Sequence, residues 1–314
     1  MRMRPTLTWE STGEEFPRTS SLDAVVELVA GGGVVVLSGA GLSTESGIPD
    51  YRGASGALRK HTPMTFDDFV GSAEARQRYW ARSHLGWRAM AGAVPNDGHR
   101  AVAALRASGH VAGVITQNVD GLHQRAGTAP EVVDLHGSLD RVICLDCGDV
   151  SGRVELERRL SEANPEFTAV ADRVNPDGDV DLAEEAVRSF RAVDCGVCGS
   201  GVLKPDVVFF GENVPAARVE RCRGLVDEAR SLLVLGSSLT VMSGLRFVRR
   251  AAEGGKPVVI VNRGATRGDR YATARVEAGL GVALMEVVGD VGAVGVSGAV
   301  GVSGAAGVQV KSKA

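Results

Sequence analysis

The sequence predicts an α/β protein: a doubly wound parallel sheet that also carries a smaller, cysteine-bearing domain and a helical insert. Three observations predict it. Short apolar runs (Val34 to Leu37, Leu232 to Leu235, Val258 to Val261) have the length and β-branching of strands buried on both faces. Each run stops at small or polar residues, and helical spacings alternate with the runs. Two C-x-x-C pairs, Cys144/Cys147 and Cys195/Cys198, break that rhythm and set a second unit apart.

The chain has 314 residues, enough for one large domain or two smaller ones. With 44% hydrophobic residues, 23% charged residues and a net charge of -3, its composition is that of an ordinary globular protein. This balance argues against bulk nucleic-acid binding, which needs a basic face. Aromatics make up 4% and glycines number 41, so the core must be largely Val, Leu and Ala. Residues 1–20 carry Arg2, Arg4, Glu10, Glu14 and Glu15 and no apolar run, so no signal peptide is read there. The expected compartment is the cytoplasm, where thiols stay reduced.

Residues 1–20 read as a mobile arm. Ser21 can cap a helix through Leu22, Val25, Val26 and Val29, which Gly31-Gly32-Gly33 ends. The strand from Val34 then runs into Gly39-Ala40-Gly41, with Ser43, Thr44 and Ser46 at an expected helix start. Such an end attracts phosphate. A dinucleotide fingerprint needs a third glycine, which Leu42-Ser43-Thr44 does not supply, so a Gly-rich turn without a ligand stays open. Gly47-Ile48-Pro49-Asp50-Tyr51-Arg52 adds a carboxylate, a ring and a guanidinium beside it.

Residues 54–96 read as a loop and a helical insert from Phe66 to Met90, packed on the main domain. Phe66, Phe69, Tyr79, Trp80 and Trp87 are taken as packing residues and not as an aromatic ligand box. His99 to Ser108 is helical, and the strand Val111 to Ile115 ends in Thr116-Gln117-Asn118-Val119-Asp120. Open α/β sheets bind ligands at the carboxyl ends of their strands. Gln117, Asn118 and Asp120 are therefore pocket candidates, with a polar turn as the alternative. Val132 to Leu135 is a further strand and delivers His136.

Residues 141–204 are expected to form the small domain. Four thiolates in two hairpins, beside Gly148, Gly196 and Gly199, suit one tetrahedral zinc per chain. A site closed by four cysteine ligands leaves no position for water, so the metal would be structural. Disulfides or chance are the alternatives. Cys222 reads as a small core residue. The acidic stretch from Asp172 to Glu185 is expected to be partly loop. Val207 to Phe210 then reads as a strand ending in Gly211-Glu212, and Val282 to Val287 as a last strand. The Rossmann-like main domain would comprise residues 21–53, 97–140 and 205–289. Val291 to Val310 is uncharged, which raises a membrane span. Its glycine density opposes a helix, so residues 290–314 are expected to be a disordered, low-complexity tail.

These pieces together resemble one family, the sirtuins, in their bacterial, class II form. The matching motifs are Gly39-Ala-Gly41 with Gly47 to Arg52, Gln117 to Asp120, Leu135-His136-Gly137, the two C-x-x-C pairs, Lys204 to Glu212, and Gly236-Ser-Ser238. Asp50-Tyr51-Arg52 and the run Arg76 to Arg82 look like class II members, although most of the family has Phe where Tyr51 stands. The similarity runs in order from about Leu22 to Gly289.

The resemblance implies an NAD-dependent protein deacylase or deacetylase. It would transfer the acyl group of a modified protein lysine to ADP-ribose and release nicotinamide. Ala40, Gly41 and Ser43 would hold the pyrophosphate, and Asp50 and Asn118 would line the nicotinamide pocket with Asp120 close by. Gln117 would bind the nicotinamide ribose. Ser237, Ser238 and Asn262 would hold the adenosine half, with the backbone near Leu280 by the adenine. Gly39, Ser46, Tyr51, Arg52, Val119, Gly236, Arg263 and Gly264 complete the implied NAD set. His136 would be the general base, assisted by Asn118 and Asp120. Val208, Phe210, Gly211, Glu212, Thr240 and Val241 would pair with the substrate peptide as strand edges.

The charge balance and the glycine density of the tail leave no nucleic-acid or membrane partner expected. A mono-ADP-ribosyltransferase using the same NAD site is the rival enzyme. A non-enzymatic zinc-ribbon module is a further rival, but leaves His136 and the polar strand ends unexplained. Desuccinylating members carry a Tyr and an Arg in the loop after the Asp-Phe-Arg segment. Here Ala57 and Arg59 fall at those positions, so acetyl or longer neutral acyl groups are expected to be turned over ahead of succinyl.

Overall fold

The computed structural model describes residues 16–52, 63–169 and 175–299, with side chains as far as residue 293. Six strands make its central parallel sheet: β1 (Val34–Ser38), β2 (Val111–Thr116), β3 (Val132–Asp134), β7 (Ser231–Leu235), β8 (Val258–Val261) and β9 (Ala274–Val276). Their order across the sheet is β3-β2-β1-β7-β8-β9. The order reverses at β1, whose neighbours are β2 on one side and β7 on the other. A crevice opens at such a switch point, beyond the carboxyl ends of the strands.

Every residue of β1, β7 and β8 is buried, because helices cover both faces of the sheet. Val34 and Val36 point into one cluster with Val25 and Val29 of α1 (Asp23–Ala30), Val102 and Leu105 of α4 (Asp97–Ala107), and Leu284 and Val287 of α9 (Leu280–Ala299). Val35 and Leu37 point the other way, toward Val226 of α7 (Ala216–Glu228) and Phe247 and Val248 of α8 (Met242–Glu253). The period of two in the strands thus splits one apolar run between two cores.

A second sheet stands apart, built from β4 (Gly137–Cys144), β5 (Val150–Gly152) and β6 (Leu203–Val207). Its three antiparallel strands lie in the order β5-β4-β6. Helices α5 (Arg153–Ala163) and α6 (Glu184–Ser189) belong to the same stretch of chain. The helical insert consists of α2 (Phe66–Gly71), started by a Thr65–Asp68 capping box, and α3 (Ala73–Gly92), capped by Ser72. Its rings pack on the main domain, as expected, through Ile48, Leu122 and Phe209, and on the small sheet's side as well. Phe69, Tyr79, Trp80 and Trp87 share a cluster with Leu156, Leu160, Phe190 and Leu203. Arg153, 1% exposed, lies 5.3 Å from the Trp80 ring and 5.1 Å from that of Trp87.

Several expectations need correction. Val282 to Val287 is not a strand, because Leu280, Ala283, Leu284, Val287 and Val291 are buried at helical intervals within α9. The same helix carries residues 290–299, expected in the disordered tail; residues 300–314 lie outside the described residues. Within the expected mobile arm, residues 16–20 are docked: Thr19 bridges to Val276, and Arg18 pairs with Glu277 at 2.9 Å. The strand expected at Val207 to Phe210 falls earlier, as β6, and pairs with β4, so residues 137–140 and 205–207 stand in the small sheet and not the main one. Strand β9 is only three residues long and has no apolar run to announce it. Among the described residues no helix is long and apolar enough to cross a membrane.

Candidate active site

The carboxyl ends of β1, β2 and β7 converge on one cleft of about 1320 Å³. After Ser38 the chain makes two successive 3-10 turns, Ala40–Leu42 and Thr44–Ser46, where an α-helix start was expected. The glycines serve contact between the two strand ends. A Cβ on Gly39 would stand 2.7 Å from the Ser237 Cβ, and one on Gly41 would stand 2.8 Å from the Gly236 carbonyl oxygen. The Gly41 N–H donates to that carbonyl at 2.9 Å.

Side chains stitch the three strand ends together. Ser43 Oγ donates to Asp120 Oδ2 at 2.7 Å, and Asn118 Nδ2 donates to Ser43 Oγ at 3.0 Å and to the Gly39 carbonyl at 3.1 Å. Gln117 Nε2 donates to Ser237 Oγ at 2.7 Å. Burial raises the pKa of Asp120, while the Leu122 N–H and the Ser43 hydroxyl oppose the rise. Behind the turn, Ser38 Oγ lies 2.9 Å from both Thr116 Oγ1 and His123 Nε2. The His123 ring meets that of His99 edge to face at 5.1 Å. Burial pushes these imidazoles down to about 4 and about 3, so both are neutral at physiological pH.

His136 follows β3 and is half-buried in the cleft wall. Its Nδ1 lies 2.9 Å from the Gln117 carbonyl and its Nε2 lies 2.8 Å from Ser243 Oγ. Burial lowers its pKa to about 4, against the pull of the Gln117 carbonyl and with help from Arg218 and Arg246. Gly137, directly after it, has φ 87°, and a Cβ there would sit 1.9 Å from the Asp206 carbonyl oxygen. Only glycine lets β4 leave the imidazole and join β6 at that distance.

Of the residues expected at the site, the cleft brings together Gly39, Ala40, Gly41, Ser43, Asp50, Tyr51 and Arg52 from the β1 turn, and Gln117, Asn118, Val119 and Asp120 from the end of β2. It adds His136, Gly236, Ser237 and Ser238 after β7, Asn262, Arg263 and Gly264 after β8, and Leu280 at the start of α9. Val208, Phe210, Gly211, Glu212, Thr240 and Val241 line it as well, outside any strand. Ser46 does not line it: its hydroxyl is buried, with no hydrogen-bond partner among the described residues. Ala57 and Arg59 lie outside the described residues.

Sequence reasoning missed several lining groups. Tyr79 reaches the cleft from α3, and Asp177 and Asp179 reach it from the small-domain stretch. Burial, with Asp179 beside it, raises the Asp177 pKa well above the usual carboxylate range. Tyr51, whose hydroxyl burial also keeps protonated, meets Phe210 edge to face at 6.1 Å. Lys204 is 3% exposed, pairs with Glu212 at 3.0 Å and lies 4.7 Å from the Phe209 ring. It thereby folds the turn that presents Val208 to Glu212. A lysine in a strand with an acid eight residues on was the available signal for that pair.

The four cysteines meet at the far end of the small sheet. Their sulfurs all lie within 4.8 Å of one another, with Cys144 to Cys198 and Cys147 to Cys195 each at 3.8 Å. A tetrahedron of thiolates about 2.3 Å from zinc has edges of about 3.8 Å, whereas a disulfide needs about 2.0 Å. The donor set therefore fits one zinc and excludes the disulfide alternative; all four thiols are free. Cys222, on the buried face of α7, has its pKa pushed up to about 12 by that burial, which suits a packing residue and not a nucleophile.

Fold and site define a Rossmann-like α/β protein with a cleft at its switch point and a separate four-cysteine metal module. The model of the Sir2 family matches residues 39–243. The chain is 65% identical over 292 residues to NAD-dependent protein deacetylase 1 of Streptomyces coelicolor, covering 93% of this chain and 97% of that one. It is 53% identical over 260 residues to NAD-dependent protein deacetylase 1 of Mycobacterium avium, covering 81% and 90%. Its fold is similar to a Sir2 protein solved with a p53 peptide and NAD+, with a TM-score of 0.68, 29% identity, and 87% and 99% of the two chains covered. The chain belongs to the Sir2 family, the sirtuins, as its motifs led one to expect.

Proposed function

We propose that this chain is an NAD-dependent protein deacetylase acting on acylated lysines of proteins in the cytoplasm, without nucleic-acid or membrane partners. The observation that carries the reading is the neutral imidazole of His136, set in the same cleft as the stitched Ser43, Asn118, Asp120 and Gln117 side chains. NAD, when bound, supplies a ribose carbon that can accept the acyl oxygen, with nicotinamide as the leaving group.

The chain's own groups then have separable tasks. The turn from Gly39 to Ser43 and the Ser237-Ser238 end of β7 hold the cofactor's phosphates and adenosine half, with Asn262, Arg263, Gly264 and Leu280. Asp50, Tyr51, Arg52, Asn118, Val119 and Asp120 enclose the nicotinamide end. His136 takes a proton at Nε2. Because its pKa is held at about 4, it is unprotonated and ready to act throughout the neutral range. The peptide lies between the turn Val208 to Glu212 and the segment Thr240-Val241, both outside the strands of the main sheet. Cys144, Cys147, Cys195 and Cys198 hold one structural zinc, which shapes the small domain and takes no part in the chemistry.

The test is incubation of the purified chain with NAD and an acetyl-lysine peptide, followed by mass spectrometry. Deacetylated peptide, nicotinamide and a free acetyl-ADP-ribose in equal amounts support the reading. Attachment of ADP-ribose to protein, with the acetyl group left in place, would assign the rival transferase.

A further inference from the structure

Ser243 stands in the first turn of α8 and lines the cleft. Its Oγ is 2.8 Å from His136 Nε2, and the opposite ring nitrogen, Nδ1, is 2.9 Å from the Gln117 carbonyl oxygen. A carbonyl oxygen can only accept, so Nδ1 carries the ring proton. Nε2 then bears the lone pair, and Ser243 must be the donor. The hydroxyl is not used for capping: Val241 is the N-cap of α8 and makes no side-chain cap bond.

We infer that Ser243 is the positioning residue of the base, holding the His136 ring in one orientation with the Nε2 lone pair turned into the cleft. This rests on the reading of His136 as the general base. Two anchors on opposite nitrogens fix the rotation of the ring as well as its tautomer. One anchor is a backbone carbonyl at the end of β2, and the other belongs to α8. In the reaction Nε2 would take one proton, from a hydroxyl of the bound substrates. Ser243 neither gains nor loses a proton, and its hydroxyl gives up its place at Nε2.

The charged groups facing the ring are Arg218 from α7, paired with Asp206 at 2.5 Å, and Arg246 from α8. Both disfavour the imidazolium. Donation from Ser243 to the lone pair of the neutral ring works in the same direction. Removing the hydroxyl therefore raises the His136 pKa, by about half a unit to one unit for a hydrogen bond of ordinary net strength.

The experiment is an NMR titration of ligand-free protein with 15N-labelled histidine, using His136→Ala to assign the signal. The unaltered chain is expected to show a single tautomer with the proton on Nδ1. Ser243→Ala is expected to keep the proton on Nδ1, where the Gln117 carbonyl holds it, and to show a midpoint raised by about half a unit to one unit. Ser243→Thr, which keeps the hydroxyl, is expected to restore the midpoint. An unchanged midpoint in Ser243→Ala overturns the proposal. The acidic limb of kcat/KM for deacetylation should move up with the midpoint in Ser243→Ala and stay in place in Ser243→Thr. If the midpoint moves while that limb does not, the Ser243–His136 contact stands and the assignment of His136 as the base fails.

Discussion

The six-stranded sheet and the three-stranded sheet are held together by different means. In the main sheet β1, β7 and β8 are buried along their whole lengths, between two separate apolar clusters. Each fully buried Val or Leu contributes about 1.5–3 kcal/mol, so the scaffold needs no ligand to fold. The small sheet alternates instead. In β4 Asp140 is exposed and Arg141 and Ile143 are half-buried, and β5 has no buried residue. Its order depends on four cysteines at one end and on the Arg153, Trp80 and Trp87 stack at the other. The main unit rests on two apolar clusters alone, whereas the small unit adds a four-cysteine site and a guanidinium–ring stack to an apolar cluster of its own. The two should therefore fail separately.

Loss of the metal gives the largest expected effect. Structural zinc contributes about 10–16 kcal/mol in small zinc-dependent folds. Cys147→Ser is expected to lose its zinc and to open residues 141–204 to proteolysis while the main sheet remains folded. Full zinc occupancy in that variant, measured by metal analysis, would remove Cys147 from the ligand set. Simultaneous melting of both sheets would break the comparison itself.

His136→Ala tests the scaffold's cleft without touching either core. Loss of a general base costs about two to four decades in rate, and NAD affinity should stay near that of the unaltered chain. Calorimetric NAD binding beside a deacetylation assay reads both, and activity within a few-fold of the original would sink the assignment.

Leu37→Ala attacks the main sheet by its own logic. The side chain is fully buried, and its removal should cost about 2–5 kcal/mol in denaturant unfolding. Zinc content should be unchanged, because the cavity forms in the other unit.

Acid should act on the scaffold as well. His99 and His123 have folded pKa values of about 3 and about 4, below the unfolded value of about 6.5. The unfolded chain binds more protons between those limits, so stability rises with pH through that window and falls as pH drops below about 6.5. At pH 5.5 the two together should cost roughly 2 kcal/mol relative to pH 7, and replacing His123 with Gln should flatten the slope.

The smallest effect concerns the acyl group. On the alignment of Ala57 and Arg59, an acetyl-lysine peptide should be preferred to its succinyl counterpart in kcat/KM. A succinyl preference of tenfold, about 1.4 kcal/mol in the transition state, would show that the arginine suffices without a phenolic partner.

What the sequence makes legible follows the same division. Parallel strands buried on both faces appear as unbroken apolar runs, so β1, β7 and β8 can be read directly with the polar residues that end them. Strand β6 cannot, because Lys204-Pro205-Asp206 looks like a loop until β4 supplies its partner. The start of α9 is hidden by composition. Val282 to Val287 reads as a short strand and the Gly, Ala and Val beyond it as a featureless tail, and only the buried Leu280, Leu284, Val287 and Val291 reveal the helical period. The four cysteines and His136 stand out because few other residue types can do their chemistry. Ser243 and Asp177 do not, since a serine in a helix and an aspartate in an acidic loop acquire meaning only when distant segments meet.

Leu135 and His136 alone connect β3, in the large sheet, to β4, in the small one. The proton acceptor thus lies on the seam where the polypeptide passes from one body to the other. Its ring is tied to the large body through Gln117 and Ser243, while its backbone carbonyl receives the Val208 N–H at 2.8 Å from the chain returning out of the small one. Any tilt of one body against the other is delivered to the imidazole with no slack in the chain to absorb it, so the alignment of the two halves and the aim of the base are one and the same mechanical variable.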